Sequence, residues 1–352
     1  MIFRLGELFS GPGGIAVGAL AASNNSQHYK IEHEWANDYD ADTCKTYTHN
    51  ICPDRPESVI CGDVRNLELE KLTPIDALAF GFPCNDFSLV GEQKGFDGKY
   101  GPLYTYGVKA LKYFQPLWFL AENVGGIRSA NGGGALGKIL QDFEGAGYNI
   151  YPHFYKFEEY GVPQARHRVI IIGIRNDQPY EFKVPSRMAY SGLDITCSSA
   201  LEIPPIPSNA FNNELTAQSQ TVVDRLKHIL PGQNAFNADL PKELQLNVKV
   251  AKISKISKRL DPTKPAYTVT GSGGGGTHIY HYAQPRALTN RERARLQTFP
   301  DSFEFVGNKE SVRKQIGMAV PCKGVQIIFE AILNTFAGID YEHEPCNIIR
   351  QR

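Results

Sequence analysis

A cysteine, a glutamate and two arginines, each at the end of an apolar run, define the chemistry open to this chain. Cys84 follows Gly81-Phe82-Pro83 at the close of the run DALAFG, which reads as a strand, so the thiol is delivered to a strand end. Thiolates at such positions act by forming a covalent bond to an electrophilic carbon. Glu122 closes the next run, WFLAENV, and a carboxyl at that same sheet edge supplies a hydrogen bond or a proton to whatever the thiol attacks. Gln164-Ala165-Arg166-His167-Arg168 then opens another strand. Its two arginines are two residues apart, hence expected on one side, where a guanidinium donates to a carbonyl or to phosphates. Between nucleophile and acid, Leu89 to Gly98 carries Gly91, Gly95 and Gly98, the composition of a segment that closes over a substrate.

A second group of residues has the layout of a nucleotide pocket. The run Leu5 to Phe9 leads into Ser10-Gly11-Pro12-Gly13-Gly14 and then a helix, which lets backbone N–H groups and a helix N-terminus approach a ligand. The spacing is not the GxGxxG of diphosphate binders. Glu34, about 20 residues on, is expected to end the second strand, where an acid accepts hydrogen bonds from ribose hydroxyls. Asp63 is expected to end the third, and Trp35 to stack on an adenine. Together they favour an adenosine-containing cofactor.

The elements that must hold these groups alternate between β-rich and helical runs, which predicts an α/β fold with a parallel, doubly wound sheet. From about Gln178 to Pro285 the chain is rich in Pro, Ser and Asn and contains the run Gly273 to Gly276, the mark of a separate loop-rich domain. Helical spacing returns in LTNRERARLQTF and VQIIFEAILNTF. The expected division is therefore 1–177, 178–309 and a returning segment 310–352. With 352 residues, 42% hydrophobic and 21% charged, disorder and collagen-like repetition are excluded. Lys+Arg 37 against Asp+Glu 37 leaves no net charge, so nucleic-acid binding must come from a local patch. Lys249, Lys252, Lys255, Lys258 and Arg259, interleaved with Val250, Ile253 and Ile256, form such a patch, suited to track phosphates. Seven widely spaced cysteines without a CxxC pair argue against a disulfide framework and against zinc, and no metal is expected. The absence of a long apolar run and of a signal-peptide layout predicts a cytoplasmic protein that does not enter membranes.

In their order along the chain these motifs resemble the DNA (cytosine-5)-methyltransferases of bacterial restriction–modification systems. The resemblance rests on Phe9 to Gly14, Pro83-Cys84 with Phe87-Ser88, Glu122-Asn123-Val124, and Gln164 to Arg168. It continues through Arg286-Ala287-Leu288-Thr289, Arg291-Glu292, Arg295-Leu296-Gln297, Phe299-Pro300, Gln315-Ile316-Gly317 and Val320-Pro321. It implies a Rossmann-like methyltransferase sheet joined to a smaller target-recognition domain. It also implies S-adenosylmethionine as cofactor, contacted by Phe9, Gly11, Pro12, Gly13, Gly14, Glu34, Trp35, Asp63, Val64, Pro83, Leu103, Ala319 and Val320. The implied substrate is a flipped-out cytosine in double-stranded DNA. Cys84 would add to its C6, Glu122 would act at N3, and Arg168, supported by Arg166, would hold O2. Ser88, Lys252, Lys255, Thr268 and Thr270 would meet the DNA. A monomer is expected, with a cognate restriction endonuclease as functional partner.

Asn85 stands where the family usually has Gln, Tyr100 where an Arg is common, and Met318 where Asn is usual. None removes a group that the chemistry requires. Methylation of RNA is the alternative substrate reading, against which the long variable region argues. A catalytically silent binder would not need Cys84, Glu122 and Arg168 together, and a nicotinamide oxidoreductase would carry the glycine spacing that is missing here.

Overall fold

The computed structural model describes residues 1–83, 103–246, 256–271, 273 and 277–348. Contacts divide the chain into two units. The first comprises Met1–Tyr160, His167–Ser191 and Cys322–Arg352, and the second comprises Gly161–Arg166 and Gly192–Pro321.

In the first unit the elements run β1 (Ile2–Leu8), α1 (Gly14–Asn25), β2 (Lys30–Asp38), α2 (Ala41–Ile51), β3 (Val59–Cys61), β4 (Ala77–Gly81), α3 (Tyr104–Phe114), β5 (Trp118–Val124), α4 (Gly134–Glu144) and β6 (Tyr148–Lys156). The two-residue β7 (Gln164–Ala165) belongs to the second unit, and β8 (His167–Arg175) completes the main sheet. Its strand order is β3-β2-β1-β4-β5-β8-β6. The first five strands are parallel, as the alternation predicts, but β8 runs antiparallel to both β5 and β6. A parallel return needs a crossover of about a dozen residues or more, usually a helix. Only residues 157–166 lie between β6 and β8, so the chain reverses instead.

Neighbouring residues of a strand face opposite sides of a sheet, and Trp118 and Phe119 divide the core accordingly. Phe119 packs edge-on to Phe143 of α4 and to Tyr148 on one side. Trp118 meets Phe3 and Phe329 on the other, where α9 (Cys322–Ala337) lies along α1. The α1–α9 approach is close enough that a Cβ on Gly18 would sit 2.5 Å from Val325 Cγ1. The stretch Lys309–Ala337 meets the length and composition of a membrane span, yet 72% of its most apolar window is buried in the protein, the condition of a core helix.

The second unit is loop-rich. It contains α5 (Cys197–Glu202), α6 (Gln220–Lys227), α7 (Asn290–Leu296) and α8 (Lys309–Met318), with β10 (Ala266–Tyr267) parallel to β7. Leu226, Ile229, Leu240, Tyr280 and Ala287 form its apolar centre. Thr289 and Glu292 make a reciprocal cap that starts α7. The boundaries expected at 177 and 309 are displaced. Residues 178–191 stay with the first unit because β9 (Val184–Pro185) pairs with β11 (His343–Glu344). Helix α8 stays with the second because the Gln297 side chain donates to the carbonyls of Ile316 and Ala319.

Candidate functional site

In the first unit the strand ends of β1, β2 and β3 form one carboxyl edge. Phe9, at φ 53°, turns the chain out of β1, and Gly11 and Gly13 continue the turn at φ 57° and 101°. A non-glycine residue in the left-handed region is strained, a condition that accompanies ligand sites. A Cβ added at Gly11 would meet nothing within 4 Å, so open space faces that backbone. Pro12, Gly13 and Gly14 are buried beneath it. Helix α1 starts without a side-chain cap, which leaves first-turn N–H groups available to a ligand. Tyr47 supports the turn from below: its ring would lie 3.3 Å from a Cβ on Gly13, and its hydroxyl donates to Glu7 at 2.5 Å. Burial pushes the Glu7 carboxyl up to about 7, against the opposing effect of that hydrogen bond.

The acid beside the glycine turn is Asp38, which sequence reasoning missed. Its carboxylate accepts from the Gly11 N–H at 3.0 Å and from the Asp40 N–H at 3.0 Å, and burial raises its pKa. Tyr39 follows, 65% exposed. Glu34 and Trp35, expected at this strand end, lie four and three residues short of it in mid-strand. Polar His33 and Asn37 disguise the strand's length, for both are buried and spend their side chains on hydrogen bonds, Asn37 to the carbonyls of Ile60 and Gly62. Trp35 is core: it is 2% exposed, its indole N–H donates to the Thr73 carbonyl, and its ring lies against Phe114 and Gly6. Glu34 and Asp63 do share one cleft of about 680 Å³, with Arg55, Glu57 and Lys71 also on its wall. Asp63 caps the short turn that follows β3 and pairs with Arg65, and Val64 beside it is buried. The expected motif signal, an acid about 20 residues beyond the glycines, is too loose to choose between two acids on one strand.

Farther along the same sheet, register pairs Gly81 with Glu122 and Val124 with Arg168. Arg168 Nε lies 2.7 Å from Glu122 Oε1, both side chains being largely buried. The Nε–H is not aligned for a hydrogen bond, so the contact is one of charge. A Cβ on Gly81 would come within 3.2 Å of Glu122 Oε2; the glycine leaves the carboxylate its room. Asn123, 2% exposed, donates to the Phe82 carbonyl at 3.2 Å and ties the end of β5 to the residue before Pro83. Pro83 and Leu103 are half-buried, and Leu103 packs against the main core. Cys84 and Ser88 lie outside the described residues.

Arg166 and Arg168 do not lie on one strand, as their spacing suggested. No strand spans the two: β7 ends at Ala165, β8 begins at His167, and Arg166 belongs to the second unit. Its guanidinium is buried and donates to the carbonyls of Val269 at 2.9 Å and Gly317 at 3.0 Å. These bonds tie the Thr268–Thr270 turn to Gly317. Thr268 Oγ1 donates to the Ala165 carbonyl at 2.6 Å, and Thr270 is half-buried. Gly317 packs so tightly under this turn that a Cβ would lie 1.9 Å from the Gly271 nitrogen. Ala319 and Val320 are buried in this unit. Lys252 and Lys255 lie outside the described residues, and so does Lys249. Arg259, grouped with them as a phosphate contact, is instead 7% exposed and donates to the carbonyls of Leu226, Ile229, His281 and Tyr282.

The profile of the C-5 cytosine-specific DNA methylases matches residues 3–334. The chain is 57% identical to the Type II methyltransferase M.BbvI of Brevibacillus brevis, over 97% of this chain and 93% of that protein. It is 39% identical to the Type II methyltransferase M.NgoFVII of Neisseria gonorrhoeae, over 96% and 87%. Among solved structures, the S. pombe Dnmt2 methyltransferase superposes with a TM-score of 0.66 at 17% identity, covering 96% of this chain and all of that one, which shows a shared fold.

Proposed function

The chain belongs to the C-5 cytosine-specific DNA methylase family and is a DNA (cytosine-5-)-methyltransferase, and from that premise we propose how its residues divide the work. It serves a Type II restriction–modification system, acting on cytoplasmic double-stranded DNA that a cognate endonuclease would otherwise cut. The extent of its match to two Type II enzymes supports this reading.

The cofactor is S-adenosylmethionine, which when bound supplies an electrophilic methyl group. The first unit's edge fits such a molecule. An uncapped helix start and the open space at Gly11 receive its polar tail, Asp38 its ribose hydroxyls, and exposed Tyr39 and Asp63 its adenine. Asp38 takes the part that spacing gave to Glu34, because it alone of the two lies at the strand end and touches the glycine turn. Phe9 and Pro83 border that edge.

The observation that carries the catalytic reading is the Glu122–Arg168 pair, held where β5 ends and β8 begins, beside Pro83. Cytosine C5 is a weak nucleophile. Addition of the Cys84 thiolate to C6 breaks the C5–C6 double bond and makes an enamine whose C5 takes the methyl group. Glu122 hydrogen-bonds at N3, where charge develops, while Arg168 donates to O2. Loss of the C5 proton to a base and elimination of the Cys84 sulfur then restore the ring. Reaching C6 and C5 requires the base to leave the duplex stack.

Expression in cells that lack cytosine methylation, followed by mapping of 5-methylcytosine, tests this directly. The wild type is expected to mark one short sequence and Cys84→Ser none. Duplexes carrying 5-fluorocytosine at the target should trap a denaturation-resistant adduct, since fluorine does not leave as a proton does. Marking by the serine variant at the wild-type rate, or methylation without a trapped adduct, overturns the covalent step.

A further inference from the structure

The second unit buries more positive charge than its described residues neutralise. Arg293, in α7, is 1% exposed, and none of its three guanidinium nitrogens has a hydrogen-bond partner among the described residues. Arg313, in α8, is 8% exposed; among the described residues its Nε has no hydrogen-bond partner, and its Nη2 reaches the Gly273 carbonyl at 3.3 Å and, at 3.9 Å, the exposed Glu310. His278 lies alongside, its Nδ1 also unpartnered. Arg313 and His278 meet at Gly273, where a Cβ would be 2.5 Å from Arg313 Nε and 2.9 Å from His278 Cε1, and Arg293 is near enough for its charge to act on both. Burial and the nearness of Arg293 and Arg313 push His278 down to about 4, and burial and Arg313 pull Arg293 down to about 10. The nearest acid in sequence, Glu292, is taken: both of its oxygens bind Arg286, at 2.8 and 2.7 Å.

Buried charges are ordinarily paired, and a guanidinium left with unspent donors is costly unless an anion joins it. An oxyanion with several acceptor oxygens matches two forked guanidiniums and an imidazole better than any neutral group does. We propose that Arg293, Arg313 and His278 form a phosphate-binding pocket, filled by a backbone phosphate of the DNA substrate or by free inorganic phosphate. The DNA source rests on the function proposed above and places the contact next to the Thr268–Thr270 turn and Gly273. Such a contact fixes register on the duplex without reading sequence.

Two measurements on the whole protein separate the sources. In the first, duplexes containing the target site carry a single neutral methylphosphonate, moved one position at a time, and binding is measured for wild type, Arg293→Met and Arg313→Gln. A DNA phosphate predicts one or two adjacent positions where neutralisation weakens wild-type binding at least tenfold yet costs the variants nothing further, a non-additive cycle. In the second, inorganic phosphate is titrated into DNA-free protein while the His278 ring is followed by NMR. A free-phosphate source predicts a flat methylphosphonate scan, a rise in Tm, and an upward shift of the His278 titration. A flat scan with no response of His278 to phosphate overturns the pocket. The scan and the His278 titration use wild-type protein, so they decide the matter even where a variant fails to fold. Methylation of the unmodified duplex is the control: its absence would overturn the proposed function, while the phosphate titration would still judge the pocket.

Discussion

Asp38 and Glu34 sit four residues apart on one strand, whose pairing with β1 skips Glu34, so substitution tests the two acids separately. Only Asp38 holds the glycine turn. Loss of a hydrogen bond to a charged group costs about 1.5–3 kcal/mol. Asp38→Ala is therefore expected to weaken S-adenosylmethionine binding tenfold or more in a calorimetric titration, and Glu34→Gln less than threefold. The reverse order would return the ribose to Glu34. Glu7 offers a second test at this scale. Its folded-state pKa, about 7, is raised above the ordinary 4.5, so the fold favours the protonated form. The stability this confers is full below pH 4.5 and is lost as pH rises through 7, a total of about 3 kcal/mol. Glu7→Gln keeps an acceptor for Tyr47 but cannot ionise. Its Tm should therefore gain on the wild type between pH 5 and pH 8, and parallel Tm profiles would show that Glu7 does not titrate there.

Between elements, the tightest joint is the crossing of Gly317 in α8 with the turn at Thr270 and Gly271, where a Cβ would sit 2.3 Å from the Thr270 carbonyl carbon. Backbone cannot yield there as a side-chain tip does. Gly317→Ala should cost about 2 kcal/mol or more, read from the denaturant midpoint; a loss below about 0.5 kcal/mol would mean that the turn moves freely. How far such features could be read from sequence depended on whether the signal was local. The parallel strands β1 to β5 follow from apolar runs, and so does the place of Glu122 near the end of β5. The end of β2 was set too early because a buried histidine and asparagine look like loop residues until their partners, Tyr47, Ser58, Ile60 and Gly62, are known. Arg166 and Arg259 were read as ligand contacts because their acceptors are backbone carbonyls far away in sequence, which no spacing rule reveals.

Over the whole molecule, equal counts of acid and base mean that no general field draws DNA in. Affinity must then come from a few phosphate contacts, each contributing about 0.9 to the slope of log K against log salt. Replacing Lys252 and Lys255 together by alanine should lower that slope by about two; an unchanged slope would remove these lysines from the interface. The order of the chain has its own outcome. The helix that covers α1 is α9, so the sheet's apolar face is closed by residues that follow the entire second unit. At about 5–20 residues per second, a ribosome needs roughly 15–60 s to travel from Asn25 to Cys322. Throughout that interval Gly18 and Phe3 await the residues of α9 that cover them. A chain stopped anywhere in the second unit lacks α9, and its first unit is expected to stay uncovered on the α1 side.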